Sequence, residues 1–241
     1  MISGHKKVHI VPVAFEVDRA VLPVLENGAD TVYVLWGADE NHKTSPYPEK
    51  VRRRLEKRIP KVVSVNFGFY DYPSIFSKLV EIGRTEQGND VLINLSSGGH
   101  IVSIAGTLAA SMFGWTPYYV EPQKYHIDHT GPISSGVKRV FEIQTYPVEK
   151  PKDGLVKCLK VLEGIGSGST SQKALLERLE RAGMISISKE GGSVAKKTMM
   201  DFRRKFLEPL LDKGWISKEG KGKSSRIEIT DNGKEIAKVF G

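Results

Sequence analysis

Between residues 8 and 121, short apolar runs alternate with helix-patterned segments, and that alternation restricts the chain to one class of fold. Val8–Val13, Thr31–Trp36, Val62–Asn66, Val91–Leu95 and Pro117–Glu121 read as strands, rich in β-branched and aromatic residues. Asp18–Asn27, Pro48–Arg58, Pro73–Arg84 and His100–Phe113 carry helical periodicity between them. Strands apolar along their whole length are covered on both faces. The pattern therefore predicts an α/β domain, a Rossmann-like, mostly parallel sheet with helices on both faces. Arg139–Ile143 is expected at the sheet edge. Such sheets bind ligands beyond the carboxyl ends of their strands, where the strand order reverses, which singles out loops 12–19, 36–41, 66–72 and 94–100.

The texture changes after Pro147 and Pro151, which mark a boundary between a domain at 1–149 and a smaller one at 150–241. Beyond it, Leu155–Leu162, Ser171–Arg181 and Lys196–Leu211 read as helices. Trp215–Lys218 and Ser225–Thr230 read as two short strands around a Gly/Lys turn, and Asp231–Phe240 as a last helix capped by Thr230 or Asp231. This layout predicts a winged helix-turn-helix. The charge divides at the same boundary. Residues 1–149 hold equal numbers of basic and acidic residues, whereas residues 150–241 hold 20 against 12, so the chain's whole net charge of +8 lies in the second domain. Such asymmetry points to a polyanion partner.

Two loops of the first domain carry candidate ligand contacts. Asn94-Leu95-Ser96-Ser97-Gly98-Gly99-His100 links a buried strand to a helix N-terminus. Glycines admit close backbone approach, and free amides with the helix dipole favour phosphate. The competing reading is a tight turn with serine as N-cap. The loop after the first strand brings Phe15, Glu16, Asp18 and Arg19 to the same end of the sheet. There Arg19 could pair with a phosphate and Phe15 could stack on a base, or Asp18 could cap the helix while Glu16 holds Arg19. The ligand set is thus Phe15, Glu16, Asp18, Arg19, Asn94, Ser96, Ser97, Gly98, Gly99 and His100.

The strand-ending IVPVAFEVDR, taken with VLINLSSGGHIVSIAGTLAA, resembles the CARF domain, the CRISPR-associated Rossmann fold, over about residues 5–145. The resemblance implies a dimer that binds cyclic oligoadenylate in the cleft between its two copies. Where that family often has a Thr-Lys pair, this chain has Gly99-His100. A CARF domain joined to a winged helix is similar to archaeal CRISPR-associated transcription regulators.

In the second domain Met199, Phe202, Phe206 and Leu210 share one face of the Lys196–Leu211 helix and are expected to pack inward. The DNA-binding candidates are Lys196, Lys197, Thr198, Arg203, Arg204 and Lys205 on that helix, with Lys218, Lys221, Lys223 and Arg226 on the wing. The alternative is a solvated helix whose Lys197, Asp201 and Lys205 form exposed ion pairs. Gly164–Gly168 joins two helices and reads as a linker, and Gly222-Lys223-Ser224 lacks the first glycine of a P-loop. The single cysteine, Cys158, sits in an apolar helix pattern and reads as core, so no disulfide or multi-cysteine zinc site is expected. His126-Ile127-Asp128-His129 has no helix to aim metal ligands, and neither a metal nor a cofactor is expected. No apolar run reaches the ~18 residues of a membrane span, and no signal peptide is apparent, so a cytoplasmic protein is expected.

The expected function is a ligand-responsive, DNA-binding transcription regulator. Its partners would be duplex DNA, a small nucleotide such as cyclic oligoadenylate, and a second copy of itself. The alternative is a metal-independent ring nuclease using Ser96, Ser97 and His100. A ribonuclease effector is disfavoured because no histidine follows His129.

Overall fold

In a computed structural model of the chain, the described residues are 4–37, 46–68, 70–126, 131–190, 193–220 and 225–241. They form two compact units, 1–149 and 150–241.

The first unit runs β1 (Lys7–Pro12), α1 (Asp18–Asn27), β2 (Thr31–Gly37), α2 (Pro46–Leu55), β3 (Lys61–Phe67), α3 (Tyr72–Thr85), β4 (Asp90–Asn94), α4 (His100–Phe113) and β5 (Thr116–Glu121). Next come the short pair β6 (Lys124–Tyr125) and β7 (Ser134–Ser135), then β8 (Arg139–Glu142). One six-stranded sheet has the order β3-β2-β1-β4-β5-β8. Its first five strands are parallel, and β8 pairs antiparallel with β5 at the edge. The chain builds outward from β1 in one direction, then returns to add β4 on the other side. The switch point therefore lies between β1 and β4. The expected α/β class is found, with α1 and α4 at the residues their periodicity marks. The β6–β7 hairpin is an addition that its two-residue strands do not announce in the sequence.

On one sheet face Val11, Val13, Val32 and Val34 meet Ala20, Val21 and Val24 of α1 and Tyr47, Val51 and Leu55 of α2. Val11 and His9 share that face by strand alternation. His9 is fully buried on this central strand. Its Nδ1 lies 3.2 Å from the Tyr118 hydroxyl, while Nε2 has no partner among the described residues. Burial, helped by the charge of Lys7, lowers its pKa to about 4, so the ring stays neutral in the folded protein.

The second unit runs α5 (Asp153–Glu163), β9 (Ser169–Ser171), α6 (Gln172–Arg181), β10 (Lys189–Glu190), β11 (Ser193–Val194), α7 (Lys196–Phe202), a π turn (Arg203–Leu207), α8 (Glu208–Asp212), β12 (Ile216–Glu219), β13 (Arg226–Ile229) and α9 (Asp231–Phe240). Strands β12, β13 and β9 form a sheet in the order β12-β13-β9. Leu159, Leu162, Leu175, Leu176, Phe202 and Phe206 form the heart of its core. Cys158 is buried there, its thiol pushed up to about 12 by desolvation, in keeping with a core residue. Thr230 caps α9, accepting from the Gly233 amide at 3.1 Å.

The expected Lys196–Leu211 helix is α7, the π turn and α8 in succession. Pro209 explains the interruption. It has no amide hydrogen, and its ring would crowd the Lys205 carbonyl one turn back. The wider π turn lies just ahead of it and carries the Glu208 amide to the Arg203 carbonyl. The β10–β11 hairpin, also absent from the sequence reading, sits between α6 and α7. No helix among the described residues is long and apolar enough to cross a membrane.

His9 makes the first unit acid-sensitive. The unfolded chain binds a proton below the ordinary imidazole value of 6.5, while the folded chain resists it down to about 4. This contribution to stability is therefore lost as pH falls across that window, by about 3 kcal/mol in all. Denaturant melts of wild type and His9→Leu at pH 7 and pH 4.5 check this: the wild type should lose more stability than the variant between the two. Equal losses would contradict the assignment.

Candidate functional site

The loops that leave β1 and β4 are joined along their backbones at the switch point. The Ala14 amide donates to the Ser97 carbonyl at 2.8 Å, and the Ser97 hydroxyl donates to the Pro12 carbonyl at 2.6 Å. Gly98 permits this approach, because a Cβ there would lie 2.6 Å from the Pro12 Cβ. At Gly99, which precedes α4 with φ −73°, a Cβ would meet nothing within 4 Å. The two glycines thus differ in role. Gly98 lets one loop rest on the other, and Gly99 leaves space in front of the helix.

That space is an open cavity of about 600 Å³ above the carboxyl ends of the parallel strands. Of the sequence candidates, Phe15, Glu16, Ser96, Ser97, Gly98, Gly99 and His100 line it. Phe15 also meets Tyr47 edge-on, with ring centroids 5.9 Å apart. The N-terminus of α4 opens on the cavity through Gly99, His100 and Ile101. No lysine or arginine is among the described lining residues. Favourable potential for an anion comes instead from the helix terminus and loop amides.

Asp18, Arg19 and Asn94 stand behind this wall. Arg19 is buried, with Nε donating to the Val120 carbonyl and Nη1 to Glu16, both at 2.8 Å. Glu16 is equally buried and accepts from the Ser134 hydroxyl through its other oxygen. Glu16 thus holds Arg19, as one of the two sequence readings had it. Asp18 does not cap α1. It accepts from Arg54 at 2.7 Å and from the Gly136 amide at 3.0 Å, and these donors hold its carboxyl below the usual range.

Asn94 has a reason visible only in three dimensions. Pro23 inside α1 has no amide hydrogen to offer the Arg19 carbonyl. Asn94 Nδ2 donates to that carbonyl at 2.8 Å, and its Oδ1 accepts from the Ser96 amide and hydroxyl at 2.9 and 2.5 Å. Ser96 and Ser97 therefore both spend their hydroxyl hydrogens on protein acceptors.

Several lining residues escaped sequence analysis. Phe67 ends β3 and Tyr70 lies in the loop after it, within the stretch 66–72 that was marked for inspection without a residue being chosen. Ile104 is the next turn of α4, and Ile133 precedes β7, where its amide donates to the Phe15 carbonyl at 3.2 Å. Of the sequence reading's metal candidates, Ile127, Asp128 and His129 lie outside the described residues, and His126 Nε2 lies 2.9 Å from the Ser135 hydroxyl.

In the second unit Lys196, Lys197, Arg203, Arg204 and Lys205 are all exposed along the α7–α8 helix, as are Lys218 and Arg226 on the β12–β13 strands. Lys221 and Lys223 lie outside the described residues. Thr198 differs from its expected outward position: it is buried, and its hydroxyl accepts from the Ser188 amide at 3.2 Å, tying the β10–β11 segment to the helix. The Arg226 guanidinium donates to Ser169. Asp201 pairs with Arg204 at 3.2 Å, a different partner from the Lys197 and Lys205 of the alternative reading. That pair is exposed and contributes little to stability.

Family comparison agrees with this division. Residues 155–241 match the model of the DUF6293 C-terminal winged helix domain, and residues 7–125 match the model described as HFX_2341_N-like, N-terminal. The protein joins a Rossmann-like α/β domain to a winged helix domain. An uncharacterized protein of Archaeoglobus fulgidus is 24% identical over 97% of this chain and 98% of its own length. Among solved structures, Can2 from Sulfobacillus thermosulfidooxidans, in complex with cyclic tetra-adenylate, aligns with 96% of this chain and 63% of its own, at 13% identity and TM-score 0.43. Csm6 from Enterococcus italicus, bound to cyclic hexa-2'-fluoro-hexa-dAMP, aligns with 87% and 55%, at 13% and 0.43. VC1899 from Vibrio cholerae aligns with 96% and 64%, at 14% and 0.43. The chain thus spans about 55–64% of the length of these three proteins. At these scores the fold reading of the first domain stands on its strand order and family match.

The contrast between its two glycines is directly testable. Gly98→Ala must push Pro12 away and should destabilise the Rossmann-like domain by about 1–3 kcal/mol. Gly99→Ala only changes an N-cap and should cost under about 1 kcal/mol. Urea melts of both variants decide it, and the reverse order would contradict the loop packing.

Proposed function

We propose that the protein is a ligand-responsive DNA-binding transcription regulator. The observation that carries this reading is the charge of the winged helix domain. It holds all of the net +8, and five of its cations stand exposed on the helix that follows the β10–β11 pair. Duplex DNA is the polyanion such a domain takes, with the helix in the major groove and the wing on the backbone.

The CARF-like domain is the sensor in this proposal. Its cavity offers amides at a helix N-terminus for phosphate, and Phe15, Phe67 and Tyr70 for a base. Cyclic oligoadenylate or a related nucleotide has both kinds of group. Ile104 is 62% exposed on α4 at the cavity rim, an apolar contact suited to a second copy of the chain. A two-fold dimer repeats each contact on both halves of a symmetric ring and sets the spacing of two winged helices on DNA. Ligand cleavage draws less support, since Ser96 and Ser97 already donate to Asn94 and Pro12.

Binding to duplex DNA should weaken at least tenfold between ~50 and ~200 mM salt, as bound cations release counterions. Arg204→Ala should weaken binding with an unchanged melting curve. Phe206→Ala, which empties a buried ring site, should cost about 3–5 kcal/mol of stability. Fluorescence anisotropy and thermal melts test the three together. Salt-insensitive binding, or none to any duplex, would remove the regulator reading.

A further inference from the structure

The helix that displays the basic residues also displays a methionine. Met200 is 62% exposed, whereas its neighbour Met199 packs against the core. Among the described residues of the winged helix domain it is the one large hydrophobic side chain left exposed. It is the fifth residue of the helix that runs from α7 through α8, four residues after Lys196, three after Lys197, and three and four before Arg203 and Arg204. At those spacings all five share one face of the helix.

An isolated exposed apolar residue needs no explanation. Four cations surround this one. They disfavour an apolar protein groove as its partner and favour a polyanion with an apolar group between its charges. DNA has such a group in the major groove. The thymine C5-methyl is the apolar feature of the base edges there, and residues early in a recognition helix are the ones that reach those edges. The unbranched thioether has three rotatable bonds with which to settle against a methyl.

We infer that Met200 is a base-reading residue that packs on a thymine methyl and gives the protein a preference for thymine at one position of each half-site. This rests on the DNA-binding reading above and names a specificity contact within it. The flanking cations engage phosphates and set the helix in the groove, and Met200 supplies the sequence information at its position.

The test uses the full-length protein. Preferred duplexes are selected from a random pool, and each thymine is then replaced singly by deoxyuridine, which removes only the methyl group. At one thymine per half-site the wild type should bind deoxyuridine DNA about fourfold more weakly, the effect of losing one buried methyl. Met200→Ala should bind the two duplexes equally. Arg204→Ala should bind both more weakly and keep the ratio. Wild-type binding indifferent to every replacement, or a ratio that persists in Met200→Ala, overturns the inference and leaves DNA binding standing. Failure to select any duplex would remove the DNA-binding reading and this inference with it.

Discussion

Parallel β1 and β4 lie side by side, and the loops leaving them must diverge to reach helices α1 and α4. The hydrogen bonds from Ala14 to Ser97 and from Ser97 to Pro12 keep those loops together for a few residues before they part, at a spacing only glycine at position 98 allows. The cavity is the space that opens where they separate, and the N-terminus of α4 faces it for the same reason. Asn94 fixes the other side by completing the α1 turn that Pro23 leaves open. The site is therefore a consequence of strand order and loop contact, and its lining side chains are added to a shape already set by the backbone.

Charge follows two different rules in the two domains. In the Rossmann-like domain the charged groups near the cavity are neutralised from within: Glu16 by Arg19 and Ser134, Asp18 by Arg54 and the Gly136 amide. Removing one partner of the buried Arg19–Glu16 pair would strand the other charge, so such a pair belongs to the framework. In the winged helix domain the lysines and arginines of the helix stand in solvent, where their field reaches an approaching polyanion. The first arrangement builds a wall of paired charges, the second a basic surface open to solvent.

The fold was legible wherever a pattern is local. Continuous apolar strands gave the parallel sheet, and the 3.6-residue periodicity placed α1 and α4 on the residues where they occur. The loops around the cavity followed from a rule about strand ends, but the roles within them did not. Arg19 reads as a phosphate ligand or as the partner of Glu16, and the choice is made only when Val120, 101 residues away, is seen to accept from it. Thr198 lies on a polar stretch of the wheel, and only the β10–β11 hairpin, whose strands are two residues each, explains why it is buried. The reading of one helix over Lys196–Leu211 passed over Pro209, a residue that cannot continue a regular helix without local adjustment, and so missed the π turn.

The central claim is that one chain couples a nucleotide pocket to a DNA-binding face. The most direct measurement is the affinity of the full-length protein for its selected duplex, at fixed salt, with and without saturating cyclic oligoadenylates of several ring sizes. Coupled sites require that one ring size change the DNA dissociation constant by about fivefold or more, in either direction. An identical dissociation constant with every ring would contradict the account.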